Sequence, residues 1–199
     1  MRPLSPTLGG LVSDNKEWLE RGLLAAGNAP IAIGFISWAL QKCPDLLNVA
    51  LAREPKAIFL SFGEIRSFAP QIRRPGIPLI AQIQTVAQAT AAVNEGAQFI
   101  VAQGTEAGGH GGTRSTFPLV PAVVDAVGNI PVIATGGIAD GRGLAAALML
   151  GAAGVLCGNA AAEHGQVPGL TLKGIVPKDF FTGMLCCFDG RQRATNQNI

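Results

Sequence analysis

The chain has 199 residues, of which 48% are hydrophobic and only 14% are charged, and its formal net charge is +2. That composition supplies enough apolar side chains for one sizeable core and excludes an intrinsically disordered chain. Because no block of like charges is present, the sequence also excludes an extended electrostatic surface for nucleic acid or an anionic membrane. We therefore expect a globular protein whose partners are small molecules.

The first residues and the cysteines bear on where the protein works. The N-terminal segment contains early prolines and glycines instead of an apolar stretch with a small-residue cleavage site, so we predict no signal peptide. No apolar run approaches the roughly 20 residues that span a bilayer. The cysteines show neither Cys-x-x-Cys spacing nor a spaced histidine partner, so we predict neither a bound metal nor a disulfide framework. These features favour the cytoplasm.

Short apolar runs recur along the chain at nearly regular intervals. Each run is continuous rather than alternating, which is typical of strands buried on both faces of a parallel sheet. The six runs lie at residues 31–37, 57–62, 78–83, 99–104, 131–137 and 154–158. They predict six parallel strands.

Segments with helix signals separate these strands. Asp14 and Glu17 have the spacing of a capping box, and the helix that they begin is expected to end at Gly27. Thr85 is predicted to be the N-cap of a later helix, and another helix is expected to end at Gly151. This alternation of strand and helix favours a (β/α) barrel over an open doubly wound sheet.

The predicted fold class is therefore α/β, a TIM-type (β/α) barrel. It is expected to be incomplete, because the sequence supplies about six of the eight strands. We assign the partial barrel to residues 1–163. Residues 164–199 contain scattered glycines and prolines with a charged end, which predicts an irregular tail and no full lid domain.

Two glycine-rich segments follow neighbouring predicted strands. Gly136 and Gly137 end one strand, and Gly158 ends the next. Glycine leaves backbone N–H groups open to an anion, and barrels often bind phosphate at the loops of their last two strands. We therefore predict a phosphate site here, extended by bare N–H groups where Asp140 leads into the next helix. The alternative is that these glycines serve only tight turns.

The stretch VAQGTEAGGHGG carries His110, one of two histidines, in a loop that follows a predicted strand. The flanking glycines would let this loop carry the imidazole into the mouth of the barrel, where it could act as a base at neutral pH. Glu106 is a weaker candidate to orient the imidazole, and Gln82 ends another strand with a hydrogen-bonding amide. The alternatives are a surface histidine with no task, a solvated acid and a structural amide.

Three segments resemble the nitronate monooxygenase family, formerly called 2-nitropropane dioxygenases: QGTEAGGHGG at 103–112, ATGGIADGRGLAAALMLGAAGV at 134–155 and LSFGE at 60–64. The resemblance implies an FMN-binding barrel that oxidises nitroalkanes or nitronates with O2 to a carbonyl compound and nitrite. It implies that His110 removes the α-proton of a nitroalkane or contacts a bound nitronate. The cofactor-binding positions that it implies are Gly34, Gln82, Gly109, Gly136, Gly137, Gly158 and Asn159.

The chain departs from that family at both ends. The family's first strand, and its second strand with a Gly-Gly-Leu-Gly loop, are not found, and Leu-Gly-Gly at 8–10 is interpreted as a remnant of that loop. The family reads Thr-Arg-Phe where this chain has Asn159 and two alanines. We therefore expect a member truncated at the N-terminus and divergent at the C-terminus. Unpaired strand edges would open the core to water, so we expect FMN binding to be weakened or lost.

Two other functions stay open. The Gln-Gly-x-Glu-Ala-Gly-Gly-His pattern is shared with flavin-dependent enoyl-ACP reductases, which implies an enoyl-thioester reductase using FMN and NAD(P)H as the alternative enzyme. Outside enzymes, the alternative is a non-catalytic barrel fragment that binds a phosphate ligand or a partner subunit. A homo-oligomer is compatible with each function.

Overall fold

A single parallel sheet organises the protein. The computed structural model describes residues 8–11 and 16–156. Within them, seven strands pair in chain order, and each pair is parallel. The strands are β1 (Leu8–Leu11), β2 (Ala32–Ile36), β3 (Ala57–Ser61), β4 (Leu79–Ile83), β5 (Phe99–Gln103), β6 (Val132–Thr135) and β7 (Gly154–Leu156).

Helices connect the successive strands. They are α1 (Lys16–Ala26), α2 (Ser37–Leu40), α3 (Asp45–Leu51), α4 (Ala69–Arg73), α5 (Val86–Asn94), α6 (Thr116–Val127) and α7 (Gly141–Met149). A parallel neighbour can be reached only by a crossover, and repeated strand–helix crossovers in chain order are the pattern of a (β/α) barrel. The predicted α/β barrel is therefore confirmed, and it is incomplete over the described residues.

Strand β1 corrects the interpretation of the first residues. Its sequence is LGGL, in which glycine weakens the local strand signal, and the family resemblance interprets Leu-Gly-Gly as the remnant of a loop. In the structure it pairs in parallel with β2, with Leu8 opposite Ile33 and Leu11 opposite Phe35. Hydrogen bonding to a neighbouring strand overrides a weak local preference. The described sheet therefore has seven strands, one more than the sequence predicted.

Local sequence signals mark the helix ends well. The hydroxyl of Thr85 accepts a hydrogen bond from Gln88 N and caps α5, as predicted. Helix α1 ends directly before the predicted stop at Gly27, and α7 ends shortly before Gly151. Capping and stop signals act over a few residues, which is why they can be recognised without the tertiary structure.

The two faces of the sheet have different neighbours. One face packs against the helices through side chains such as Ile58, Leu79 and Ile100, all fully buried. The other face forms a smaller cluster made only of strand residues, which is the interior of the barrel. Its buried members are Ala57, Phe59, Ile80, Val101 and Ile133. Burial on both faces explains why the strands are continuous apolar runs.

Some predictions concern residues outside the described ranges. The boundary at residue 163, the tail 164–199, Gly158 and Asn159 all lie there. The division into a barrel and a tail stays a prediction. Over the ranges that are described, no helix is both long enough and apolar enough to cross a membrane. In the same ranges, no three His, Cys, Asp or Glu side chains gather closely enough to hold a metal ion.

Candidate functional site

The predicted binding and catalytic residues that the structure describes lie on the interior face of the sheet or in the loops at the carboxyl ends of its strands. Gly34 on β2 and Gln82 on β4 pair with residues of the interior cluster, so both lie on the interior face. His110 lies in the loop after β5, and Gly136 begins the loop after β6. The carboxyl ends of parallel strands meet at one rim of a barrel. Residues that are far apart in the sequence are thus brought to one rim.

Three glutamine side chains form a hydrogen-bonded cluster at the ends of β4 and β5. Gln82 Nε2 donates to Gln103 Oε1, and Gln84 Nε2 lies 3.5 Å from the same oxygen. Gln103 Nε2 donates to the backbone oxygens of Gly108 and His110, at 3.4 and 3.5 Å. Gln84 Nε2 also donates to the backbone oxygen of His110. The cluster therefore ties the His110 loop to the two strand ends.

Gln103 is a residue of this site that sequence reasoning missed. It is the last residue of β5, and only 3% of it is exposed. A signal was present, because a polar residue two positions after Val101 must share its interior face. A buried amide costs free energy unless it is hydrogen bonded. A strand that ends on a buried glutamine therefore indicates a hydrogen-bonding role.

The imidazole of His110 reaches across the mouth towards β2 and β3. Its ring centroid lies 5.1 Å from that of Phe62, with the planes tilted by 50°. It lies 6.3 Å from the centroid of Trp38 in an edge-to-face arrangement at 68°. Trp38 follows β2 and Phe62 follows β3, so three strand ends contribute rings to one cluster. The His110 side chain is exposed, which leaves it accessible to a ligand in the mouth.

Glu106 does not orient the imidazole, and the prediction that it could is wrong. Its Oε2 accepts hydrogen bonds from Thr116 N at 2.8 Å and from Thr116 Oγ1 at 2.9 Å, at the start of α6. A carboxylate is favourable at a helix N-terminus, where N–H groups lack partners inside the helix. Desolvation raises the pKa of Glu106, but the hydrogen bonds from the Thr116 backbone, its own backbone and the Thr116 hydroxyl together lower it. Glu106 therefore fastens its loop to α6.

The Thr116 hydroxyl also joins the His110 loop to the glycine loop after β6. Thr116 Oγ1 lies 3.0 Å from Gly136 O and 3.3 Å from Thr135 O. A methyl group added to Gly136 would lie 3.0 Å from Ala107 N, so the two loops are in direct contact. A hydroxyl has one proton to share among such acceptors. The position of one loop therefore depends on that of the other.

Glu106→Gln is expected to lower the melting temperature at pH 7 by about 2 °C, a small effect because the side chain faces solvent. The pKa of Glu106 is depressed by folding. The stabilisation that depends on the charge of Glu106 is therefore complete above about 4.3, the pKa of this carboxyl in the unfolded chain. It is lost as the pH falls through the lower pKa of the folded chain. Thermal unfolding followed by circular dichroism from pH 7 to pH 3 measures the difference.

Asp125→Asn, on the exposed surface of α6, is the control. A difference between wild type and Glu106→Gln that persists undiminished at pH 3 would contradict this explanation.

The start of α7 differs from the predicted anion site. Asp140 Oδ1 accepts hydrogen bonds from Arg142 N and Gly143 N, both at 3.0 Å. The Gly143 N–H and the Arg142 side chain hold the pKa of Asp140 below its ordinary value. The first N–H groups of the helix are thus used by a carboxylate of the chain itself, which would repel a phosphate. The prediction of bare N–H groups is wrong for Arg142 and Gly143.

The loop before that cap has N–H groups without a partner in the described part of the chain. The backbone N–H groups of Gly136, Gly137 and Ile138 donate no hydrogen bond to any other residue that the structure describes. Successive unpaired N–H groups in a loop form a concavity suited to an anion. An anion would therefore fit before the helix rather than at its first turn. The other half of the predicted phosphate site, at Gly158 and Asn159, lies beyond the described residues.

Comparison with known proteins decides the family. The family model described as nitronate monooxygenase matches residues 37–171, which include both the His110 loop and the glycine loop. The chain belongs to the nitronate monooxygenase family. Relatives named as nitronate monooxygenases and a solved nitroalkane oxidase support a flavin-dependent oxidoreductase as the class of enzyme in this family.

The curated relatives of this nitronate monooxygenase family member are longer proteins. The "Probable nitronate monooxygenase" of Staphylococcus saprophyticus is 37% identical over 132 residues, which are 60% of this chain and 37% of that protein. A Rhodococcus jostii (3aS,4S,5R,7aS)-5-hydroxy-7a-methyl-1-oxo-octahydro-1H-indene-4-carboxyl-CoA dehydrogenase is 36% identical over 115 residues, or 58% of this chain and 32% of that protein. The chain thus spans about a third of the length of these relatives.

Solved structures of similar fold cover more of the chain. FabK from Thermotoga maritima superposes with a TM-score of 0.67 at 32% identity, over 74% of this chain and 49% of that one. The nitroalkane oxidase from Streptomyces ansochromogenes superposes with a TM-score of 0.65 at 25% identity, over 77% of this chain and 58% of that one. The residues that match make up about half of each of these longer proteins.

Proposed function

We propose that the protein is an FMN-dependent oxidoreductase that oxidises nitroalkanes or nitronates with O2 to a carbonyl compound and nitrite. The observation that carries the proposal is the position of His110 on the same rim as the N–H groups of Gly136 and Gly137, which have no partner among the described residues. A side chain that exchanges protons and a loop that accepts an anion then face one mouth. That combination suits a phosphate-bearing cofactor beside a substrate with an acidic C–H bond.

The phosphate of FMN fits the glycine loop. The N–H groups of Gly136 and Gly137 have no partner among the described residues, and Gly137 is exposed, so a phosphate could reach the backbone of this loop. We assign the rest of the phosphate site to Gly158 and Asn159, in accordance with the sequence motif. The Asp140 carboxylate at the start of α7 keeps the phosphate on the loop side of the helix.

The flavin ring fits the polar strand ends. Gln82 and Gln103 present amide groups, which both donate and accept, and a flavin has donors and acceptors along one edge of its ring. Gly34 lies on the interior face of β2 and Gly109 lies in the loop after β5, and we assign both to the flavin ring or its ribityl chain. Bound FMN would take up electrons from the substrate and deliver them to O2, while the protein supplies position and proton transfer.

His110 is the group that we assign to proton transfer. The C–H bond next to a nitro group is acidic, and an imidazole in its neutral form can remove that proton to leave a nitronate. When the substrate already is a nitronate, the same imidazole would donate a hydrogen bond to an oxygen of the nitronate group. The exposed position of the side chain, beside Trp38 and Phe62, allows either contact.

A thioester reaction is the second candidate. The Rhodococcus jostii relative is a carboxyl-CoA dehydrogenase by name. The motif around His110 also resembles that of flavin-dependent enoyl-ACP reductases. The same rim would then hold FMN and an enoyl thioester, and NAD(P)H would supply the hydride that reduces the thioester's C=C bond by way of the flavin.

Purified protein supplied with FMN is expected to release nitrite from nitroethane or ethyl nitronate and to consume O2. Riboflavin, which lacks the phosphate, should support the reaction less well, because charge-assisted hydrogen bonds of about 1.5–3 kcal/mol are lost. Nitrite is measured colorimetrically and O2 with an electrode. NADH oxidation that depends on an enoyl thioester, without nitrite release, would favour the second candidate. FMN binding with neither reaction would leave a ligand-binding barrel.

A further inference from the structure

We propose that Trp38 and Phe62 are positioning residues that hold the imidazole of His110 in the orientation from which it exchanges a proton. The inference rests on the proposed function and extends it to two residues from other strand ends.

The loop of His110 cannot direct the imidazole without help. His110 stands between two pairs of glycines, and Gly109 has a φ of 88°. Glycine leaves the backbone more freedom than any other residue, so such a loop does not restrict the side chain. The hydrogen bonds from Gln84 and Gln103 reach only the backbone oxygen of His110. The direction of the ring must therefore come from contacts that the ring itself makes.

Two aromatic rings provide those contacts from different elements. Phe62 is tilted against the imidazole, and Trp38 meets it edge to face. The edge-to-face arrangement is one that aromatic rings prefer, because each ring has a negative face and a positive edge, and both pairs lie within contact distance. Contacts from two directions exclude rotamers that a single contact would allow. The imidazole is thus held, although it is exposed to solvent.

The two supporting rings are themselves fixed in place. Phe62 has a φ of 53°, a left-handed conformation that is strained for a residue with a side chain. In the next residue, Gly63, an added Cβ would lie 2.9 Å from the Cβ of Ser37, so this turn packs against the residue that precedes Trp38. Lys42 Nζ lies 5.5 Å from the centroid of the Trp38 ring, which is the distance of a cation–π contact. The strain at Phe62 is of the kind that persists at functional sites.

Nuclear magnetic resonance of the imidazole tests the geometry without any turnover. The full chain has two histidines, so His110→Ala assigns the signals and His164 serves as the internal reference. We expect carbon-13 relaxation to show a restrained His110 ring in the wild type and a mobile one in Trp38→Leu and in Phe62→Gly. Phe62→Gly removes the ring and also relieves the positive φ. A His110 ring that is already mobile in the wild type, or equally restrained in both variants, would overturn the proposal.

Kinetics with a nitroalkane test the role. We expect kcat to fall about tenfold or more in Trp38→Leu and Phe62→Gly, with KM and FMN affinity within about twofold of the wild type. Trp38→Phe keeps an aromatic edge and should restore most of kcat. Phe117→Leu, at an exposed aromatic residue near the start of α6, is the matched control and should change neither kcat nor KM.

An unchanged kcat in variants with a mobile imidazole would also overturn the proposal. If the wild type shows no turnover, the proposed function fails, and ring mobility alone decides whether the two residues hold the imidazole.

Discussion

His110→Ala is expected to lower kcat for a nitroalkane by about 10²- to 10⁴-fold, the usual contribution of a positioned general base. The variant should still bind FMN, because the backbone N–H groups and glutamine amides assigned to the cofactor do not depend on the imidazole. The loss should be much smaller when the preformed nitronate is the substrate, since its proton has already been removed. Steady-state nitrite release from nitroethane and from ethyl nitronate, measured side by side, gives the two ratios.

The comparison between the two substrates separates base catalysis from binding. Equal losses with the nitroalkane and the nitronate would mean that His110 contacts the substrate without transferring a proton. An unchanged kcat for both would remove His110 from the mechanism. His164→Ala is the matched control, because His164 is the second of the two histidines and carries no assigned role.

Gly104→Ala is expected to lower the free energy of unfolding by about 3 kcal/mol, at the upper end of the usual range for overpacking. The added Cβ would lie 2.0 Å from Thr116 Oγ1 and 2.3 Å from Thr116 N. A hydroxyl can rotate away, but the backbone nitrogen belongs to the first residue of α6 and cannot move without shifting the helix. The substitution would therefore also break the contact between Glu106 and Thr116. Urea unfolding followed by circular dichroism measures the change.

Gly141→Ala is the control for that experiment. An added Cβ on Gly141 has no atom within 4 Å, and the residue begins α7. Alanine favours a helix over glycine by up to about 1 kcal/mol, so this variant should be as stable as the wild type or slightly more stable. If Gly104→Ala were no less stable than Gly141→Ala, the loop after β5 would have to be far more compliant than its contacts with Thr116 indicate.

The strands of the barrel could be predicted because their signal is local. Side chains on both faces are buried, so each strand appears as a continuous apolar run, and six strands were recognised in this way. The exception is β1, where two glycines hide the strand and only pairing with β2 reveals it. Caps such as Thr85 act within one turn and were predicted for the same reason.

The site could be predicted in part. Topology places the ends of all parallel strands at one rim, so the proximity of the His110 loop and the glycine loop followed from their positions after β5 and β6. The partners of individual side chains did not follow. Glu106 binds the start of α6 rather than the imidazole, and Asp140 binds the first turn of α7. Both acids lie in loops at the rim, but each carboxylate accepts hydrogen bonds from N–H groups at the start of a nearby helix.

The order of apolar runs and glycine-rich loops was enough to specify a parallel barrel, the rim on which the candidate site lies and the histidine on that rim. These features depend on periodicity and on chain connectivity, which are present in the linear chain. The support of the imidazole by Trp38 and Phe62, and the link from Thr116 to both loops, became known only from the folded chain. Such contacts depend on the path that a glycine-rich loop takes over three other strand ends. No local preference encodes that path, because glycine permits many paths and packing selects one.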